Sequence, residues 1–353
     1  MIDAPRGVRQ GEALDEAKLA DWLRSELDLE GELTIEQFPA GHSNLVYAVT
    51  IGERELVLRR PPFGNRVKSA HDVLREFEIL MAIDGRFPVP SPIASCPDPS
   101  VLGAPFYVME RLRGVVLRRS LPAGVTVAPA LAQRLAETLI DQLATLHALD
   151  WRAAGLGNLG KPDGYVERQV TGWTKRWVDS RTEDVPDVDR AAAWLAENRP
   201  WQSPRVALLH NDFKYDNVVW SAGFPDELKV IGVLDWEMST LGDPLMDLGT
   251  ALGYWVEAGD GPGLQALSFG PTAIAGSPSR RALAERYARA TGADLARIDF
   301  YYCFALFKLT VVLQQIYARY VRGATSDTRF AGLGEGVKIL GGLAAQACIS
   351  GMP

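Results

Sequence analysis

The sequence predicts an α+β chain of two lobes: a small antiparallel-sheet lobe carrying one inserted helix, then a larger, mainly helical lobe. Three observations lead there. The 353 residues exceed what one ordinary domain holds. Short runs between residues 33 and 60, and again between 88 and 112, carry alternating apolar side chains, the period of half-buried strands. Beyond about residue 113 the apolar spacing turns helical. The sheet lobe is therefore expected over residues 1–112, with an N-terminal helix, and the helical lobe over 113–353.

The elements follow in order. Residues 13–28 place Leu19, Leu23 and Leu27 on one helical stripe. From residue 33 a strand, a tight loop and a second strand follow, the latter with Leu45, Tyr47 and Val49 alternating. A turn at Gly52 leads to a third strand with Leu56 and Leu58. Helical spacing returns with Val73, Leu74, Phe77 and Leu80. "PVPSPIASC" and "PFYVMERL" read as two more strands joined by a Pro-rich turn. Later, "LAQRLAETLIDQLATLHAL" is a long amphipathic helix, and residues 206–209 and 230–234 are short apolar strands. Ser277-Pro278 reads as a helix start, with a capping hydroxyl and a first-turn proline. "IDFYYCFALFKLTVVLQQIYARYVRG" is apolar on almost every side, so a buried helix is expected at the end. A cleft between two such lobes is a usual place for a ligand.

Composition narrows the class. The net charge of −7 argues against a nucleic-acid binder, which needs a basic face. Cys96, Cys303 and Cys348 are far apart in sequence and odd in number, which excludes a disulfide framework or a zinc site. The start, "MIDAPRGVRQGEALDE", holds no apolar signal core, and no run approaches membrane-span length. A soluble, cytoplasmic protein acting on a small molecule is expected.

The chemistry concentrates in "HNDFKYDNVVW", residues 210–220. His210, Asp212 and Asn217 fall in the spacing H-x-D-x-x-x-x-N, and Asp235 sits at the tip of an apolar strand eighteen residues later. Each residue alone is an ordinary turn former. Together, beside two strands and behind a sheet lobe, they match phosphoryl transfer: one Asp takes the proton of the acceptor hydroxyl, while Asn and a second Asp hold Mg2+ against the phosphates of ATP.

The upstream lobe can be compared with the same template. "FPAGHSN" places Gly41, Ser43 and Asn44 in the loop between the first two strands, where backbone N–H groups meet phosphate oxygens. Arg59 occupies the third-strand cation position and Glu76 the helix acid that orients it. Met109, Glu110 and Arg111 stand at the end of the last strand of the lobe, where adenine would meet backbone groups.

On "LLHNDFKYDNVVW", "VLDWEMSTLGDPLMDLG" and "AGHSN", the chain resembles the aminoglycoside phosphotransferase and choline kinase-like superfamily from about residue 33 onward. "LRRPP", "AHDVLREF" and "YVERQVTGW" resemble the branch associated with acyl-CoA dehydrogenases. The resemblance implies a protein-kinase-like fold and ATP-dependent transfer to a hydroxyl. It implies Asp212 as base, Asn217 and Asp235 as metal ligands, and His210 as the buttress of the loop. Asp243 and Asp247 read as structural hydrogen-bonders. Arg59 stands where aminoglycoside kinases carry lysine, a planar donor in place of a point charge. "DWE" replaces the "DFG" of protein kinases, and no APE-like segment follows, which argues against a protein kinase.

Two rivals remain at this stage. An antibiotic kinase needs a carboxylate-rich pocket for a polycation, yet "YVERQVTGWTKRWVDSR" offers Lys175 and Arg176 beside Trp173 and Trp177, which suits an anionic, partly apolar acceptor such as a hydroxy acid or hydroxyacyl-CoA. The same segment also reads as a solvated helix with aromatic core contacts. A nucleotide-binding pseudokinase would lack the base or the metal ligands, and both are present.

Overall fold

The structure is a computed structural model, described over residues 4–39, 44–63, 72–200, 205–325 and 327–353. The chain runs α1 (Glu16–Leu27), β1 (Leu33–Gln37), β2 (Leu45–Ile51), β3 (Arg54–Arg60), α2 (Val73–Ile83), β4 (Pro92–Cys96), α3 (Pro99–Leu102), β5 (Phe106–Glu110) and β6 (Gly114–Val116). It continues α4 (Pro129–Ala148), α5 (Tyr165–Ser180), α6 (Pro186–Glu197), β7 (Ala207–Leu209), β8 (Val218–Ser221), β9 (Val230–Val233) and β10 (Thr240–Gly242). Five helices end it: α7 (Pro244–Tyr254), α8 (Pro262–Ala266), α9 (Arg280–Thr291), α10 (Ile298–Val321) and α11 (Leu333–Ser350).

These elements form two compact units. The first comprises residues 1–116, 153–156 and 217–239. Its sheet is antiparallel in the order β1-β2-β3-β5-β4. β2 and β3 turn over the two residues Gly52 and Glu53, because Ile51 pairs with Arg54 and Gly52 takes φ 56, which glycine adopts without steric cost. Asp15 caps α1 by accepting from the Lys18 N–H. α1 then buries Leu19 and Leu23 against the sheet face that carries Tyr47, Val49 and Phe106. Residues 217–239 belong to this unit because β8 pairs with both β6 and β9. The Pro-rich connection between β4 and β5 contains the single helical turn α3, capped by Asp98.

The second unit comprises residues 117–152, 157–216 and 240–353, and it is built around α10. Tyr301, Tyr302, Phe304 and Phe307 are all buried there. Tyr301 donates to Asp243 at 2.7 Å, so these aromatics are core and not a free wall for a ligand. β7 pairs with β10 in a two-stranded sheet.

The fold class expected from sequence is borne out, but residues 217–239, expected in the helical lobe, group with the sheet unit through the pairing of β8 with β6, and two local differences add to this. Ser279, not Ser277, caps α9, accepting from the Ala282 N–H at 3.2 Å. The Pro278 carbonyl is taken by the Trp255 indole, which keeps that residue ahead of the helix. The second difference is α11, which has no apolar stripe strong enough to overcome its glycines in a sequence reading. Those glycines are there for packing: a Cβ at Gly336 would lie 2.9 Å from Leu313 Cδ2, and one at Gly341 2.5 Å from Val188 Cγ2. α11 also brings the free thiols of Cys303 and Cys348 to 2.9 Å across α10 and α11, although 45 residues separate them. Among the described residues, no helix is long and apolar enough to cross a membrane.

Candidate functional site

In the first unit, the antiparallel pair β8–β9 brings Asn217 and Asp235 to one end. Val218 opposes Val233, Asn217 immediately precedes β8, and the Leu234 N–H donates to the Asn217 carbonyl at 2.8 Å. Asp235 is held at φ 71, a left-handed conformation that costs a non-glycine residue roughly 1–3 kcal/mol. The turn delivers the next N–H, that of Trp236, to Glu76 Oε1 at 2.9 Å.

Arg59, on β3, lies buried among three carboxylates. Its Nε is 2.8 Å from Glu76 Oε2, an ion pair whose angle misses that of a hydrogen bond. Its Nη2 is 2.5 Å from Asp235 Oδ1 and 3.4 Å from Glu237 Oε2. Burial alone would push its pKa down, but the charges of Glu76 and Asp235 outweigh it and hold the guanidinium well above its usual range. Asn44 Nδ2 donates to Glu237 Oε2 at 2.8 Å. Glu237 was not picked out from sequence, though it lies two residues past Asp235 in "DWE".

This cluster fits Mg2+. One guanidinium faces three carboxylates, so negative charge is in excess, and Asp235, about a third exposed, presents it outward. The donors are all oxygen, as a hard cation requires. Among the described residues no three His, Cys, Asp or Glu side chains group as a metal set. Mg2+ takes one or two protein carboxylates and completes its shell with water and phosphate.

Of the remaining nucleotide candidates, Ser43 lies outside the described residues. Met109 is buried on β5, opposite Val57. The Glu110 N–H donates to the Ser91 carbonyl, so that particular group is committed to the sheet. Arg111 pairs with Glu55 at 3.4 Å.

In the second unit, β7 delivers His210, Asn211 and Asp212. Asp247, in the first turn of α7, accepts the His210 N–H at 2.6 Å and the Asn211 N–H at 2.8 Å. His147 Nε2 lies 3.2 Å from the same carboxylate. Asp247 is thus the structural hydrogen-bonder expected. Asp243 likewise caps α7 through the Leu245 N–H. The buried His210 accepts the Asp212 N–H on Nδ1 at 3.2 Å, a buttress within the loop itself.

Lys214 and Tyr254 both reach the Asp212 carboxylate. Lys214 Nζ lies 3.0 Å from Oδ1 and 2.8 Å from Oδ2, and the Tyr254 hydroxyl donates to Oδ1 at 2.5 Å. Burial alone would raise its pKa; the Lys214 charge and these hydrogen bonds prevail and hold the carboxyl below its usual range. Asp212 is therefore ionised at neutral pH, the state a general base needs. Sequence reading missed Lys214, Tyr254 and Lys308. Lys214 was legible two residues after Asp212. Tyr254 was not, at 42 residues' separation. Lys308 did leave a trace, as the one charged residue between Asp299 and Arg319 in an apolar helix.

The proposed acceptor residues divide on α5. Trp173 is buried, with Arg176 4.7 Å and Lys308 5.8 Å from its ring centroid. Lys175 is three-quarters exposed and pairs with Asp179 at 2.7 Å, so it is occupied by its own helix.

A five-stranded sheet with the Arg59–Glu76 pair, together with the H-x-D-x-x-x-x-N loop and an Asp just past β9, defines a phosphotransferase of the kinase-like class. Residues 34–301 match the phosphotransferase enzyme family, and the chain belongs to it. The family expected from sequence is thereby confirmed. Rat acyl-CoA dehydrogenase family member 11 is 36% identical over 85% of this chain, and mouse family member 10 is 32% identical over 91%. The chain spans 38% and 30% of those proteins. Viomycin phosphotransferase of Streptomyces vinaceus is 27% identical over 65% of the chain and 82% of its own length. Among solved structures, a candidate aminoglycoside phosphotransferase of Ralstonia eutropha superposes with TM-score 0.80 at 30% identity, covering 95% of this chain and 98% of its own. The complex of aminoglycoside phosphotransferase APH(4)-Ia with ADP and hygromycin B shares the fold, with TM-score 0.57 at 16% identity over 94% and 98%.

Proposed function

We propose that this chain transfers the γ-phosphoryl group of ATP to the hydroxyl of a hydroxy acid or hydroxyacyl-CoA. The observation that carries the reading is the Asp212 carboxylate, held ionised by Lys214 and Tyr254 on a loop braced by Asp247. Asp212 accepts the proton as the hydroxyl oxygen bonds to phosphorus and ADP leaves. Asn217 and Asp235 would hold Mg2+, which when bound would neutralise phosphate charge. Arg59, fixed by Glu76, orients the phosphates, and Asn44 covers them. Residues 109–111 border the adenine.

The acceptor class rests on two supports. The relatives with 36% and 32% identity carry acyl-CoA dehydrogenase names. Arg176, 4.7 Å from the Trp173 ring centroid on α5, adds positive charge there, which favours an anionic acceptor over a polycation. The viomycin phosphotransferase relative keeps an antibiotic acceptor as the second reading.

Incubation with MgATP and equal concentrations of short hydroxyacyl-CoAs, free hydroxy acids, kanamycin and viomycin tests this, scored by the mass of the phosphorylated product. Phosphorylated acyl-CoA or hydroxy acid is expected. Turnover of the antibiotics alone would establish the second reading, and no MgATP turnover with any acceptor or with water would establish a pseudokinase.

A further inference from the structure

Lys308 is buried in the middle of α10, 4% exposed, in a helix otherwise apolar from Phe300 to Ala318 apart from a few hydroxyl and amide groups. Burying an ammonium is costly unless it is paired, and a methionine or leucine would fill the same space without that cost. The position therefore calls for a reason. Lys308 Nζ donates to the main-chain carbonyl of Asn211 at 2.9 Å. That carbonyl belongs to the peptide joining Asn211 to Asp212. The N–H of the same peptide donates to His210 Nδ1 at 3.2 Å, so both ends of the unit that carries Asp212 are tied.

Asn211 needs such a hold. Its φ is 64, in the left-handed region that non-glycine residues occupy only when their surroundings impose it. Its N–H goes to Asp247 at 2.8 Å, and its side-chain Oδ1 accepts from the Tyr165 hydroxyl at 3.2 Å. Lys308 supplies the contact on the carbonyl, from a residue 97 positions away.

We propose that Lys308 is a positioning residue: by fixing the 211–212 peptide it aims the Asp212 carboxylate at the acceptor hydroxyl. It acts through the backbone and takes no part in proton transfer. The inference rests on the reading of Asp212 as the base. Small displacements of a reacting group cost rate steeply, about a hundredfold for an ångström, so the signature is a loss in kcat.

The test compares Lys308→Met, Lys308→Gln and Asp212→Asn in the full chain, with MgATP and a short hydroxyacyl-CoA as substrates. Lys308→Met removes the donor. Lys308→Gln removes the charge but keeps an N–H for the Asn211 carbonyl. Expected are a kcat about 10- to 100-fold lower in Lys308→Met, KM values for both substrates close to wild type, and recovery of most of that loss in Lys308→Gln. Amide hydrogen exchange across residues 208–216 should quicken in the Met variant and stay slow in the Gln variant. Equal damage in both variants would overturn the proposal in favour of a charge effect. So would a change confined to the KM of the acceptor, which would make Lys308 a substrate contact, or a Lys308→Met enzyme with normal kcat. Substantial transfer by Asp212→Asn would instead sink the base assignment, a separate failure.

Discussion

The Lys214 ammonium grips both oxygens of Asp212, at 3.0 and 2.8 Å. The lysine keeps its neighbour charged even though burial opposes it. In Lys214→Met the effect of burial is left less checked, so the pKa of Asp212 should rise. A base works only when deprotonated, so the acid limb of the pH–kcat profile should move to higher pH. An acid limb unchanged by the substitution would detach Lys214 from the titration of Asp212.

Asp235 and Asn217 should differ in weight. A carboxylate brings a full charge to a divalent ion, an amide only a dipole. Asp235→Ala is expected to abolish Mg2+-dependent ATP binding in calorimetric titration, and Asn217→Ala to weaken it less. Undiminished MgATP affinity in Asp235→Ala would contradict the metal assignment.

Arg59 is ion-paired to Glu76, Asp235 and Glu237. Arg59→Met leaves the buried Glu76 without its counter-charge, and breaking a buried pair in this way costs roughly 3–5 kcal/mol. Thermal unfolding should register the loss clearly. Arg59→Lys should lose less stability but still weaken nucleotide binding, because a point charge cannot replace a fork that reaches several carboxylates. A Met variant as stable as wild type would remove the cluster as an anchor of the first unit.

Lys308 makes stability depend on pH in a direction that can be worked out. Burial pulls its pKa from 10.5 to about 8, and the nearby Asp212 and Asp247 carboxylates only partly compensate, while Lys214 and Arg176 act in the same direction as burial. Below about pH 8 the lysine is protonated folded and unfolded, and the folded state carries the full burial penalty. Between about 8 and 10.5 only the unfolded chain still binds the proton, so the folded state gains relative stability as pH rises. The stability of wild type measured against Lys308→Met should therefore improve across that window. A constant difference from pH 7 to 10 would show that the lysine does not titrate there.

By itself, the sequence determined the fold class and singled out the candidate reactive groups. Strand alternation around Tyr47 and Leu58 and the helical stripe of Leu19 and Leu23 are local patterns, set by burial of one face. Asp212, Asn217 and Asp235 stood out as candidates because phosphoryl transfer needs a base and oxygen ligands at fixed spacing along short loops. α11 escaped because its glycines answer to Leu313 and Val188, neighbours that no local pattern reveals. The supports of the site lay beyond reach for the same reason. Tyr254 meets Asp212 across 42 residues and Lys308 meets Asn211 across 97. A sequence window records which groups are present, but only tertiary packing decides which distant donor a carboxylate or a strained carbonyl will find.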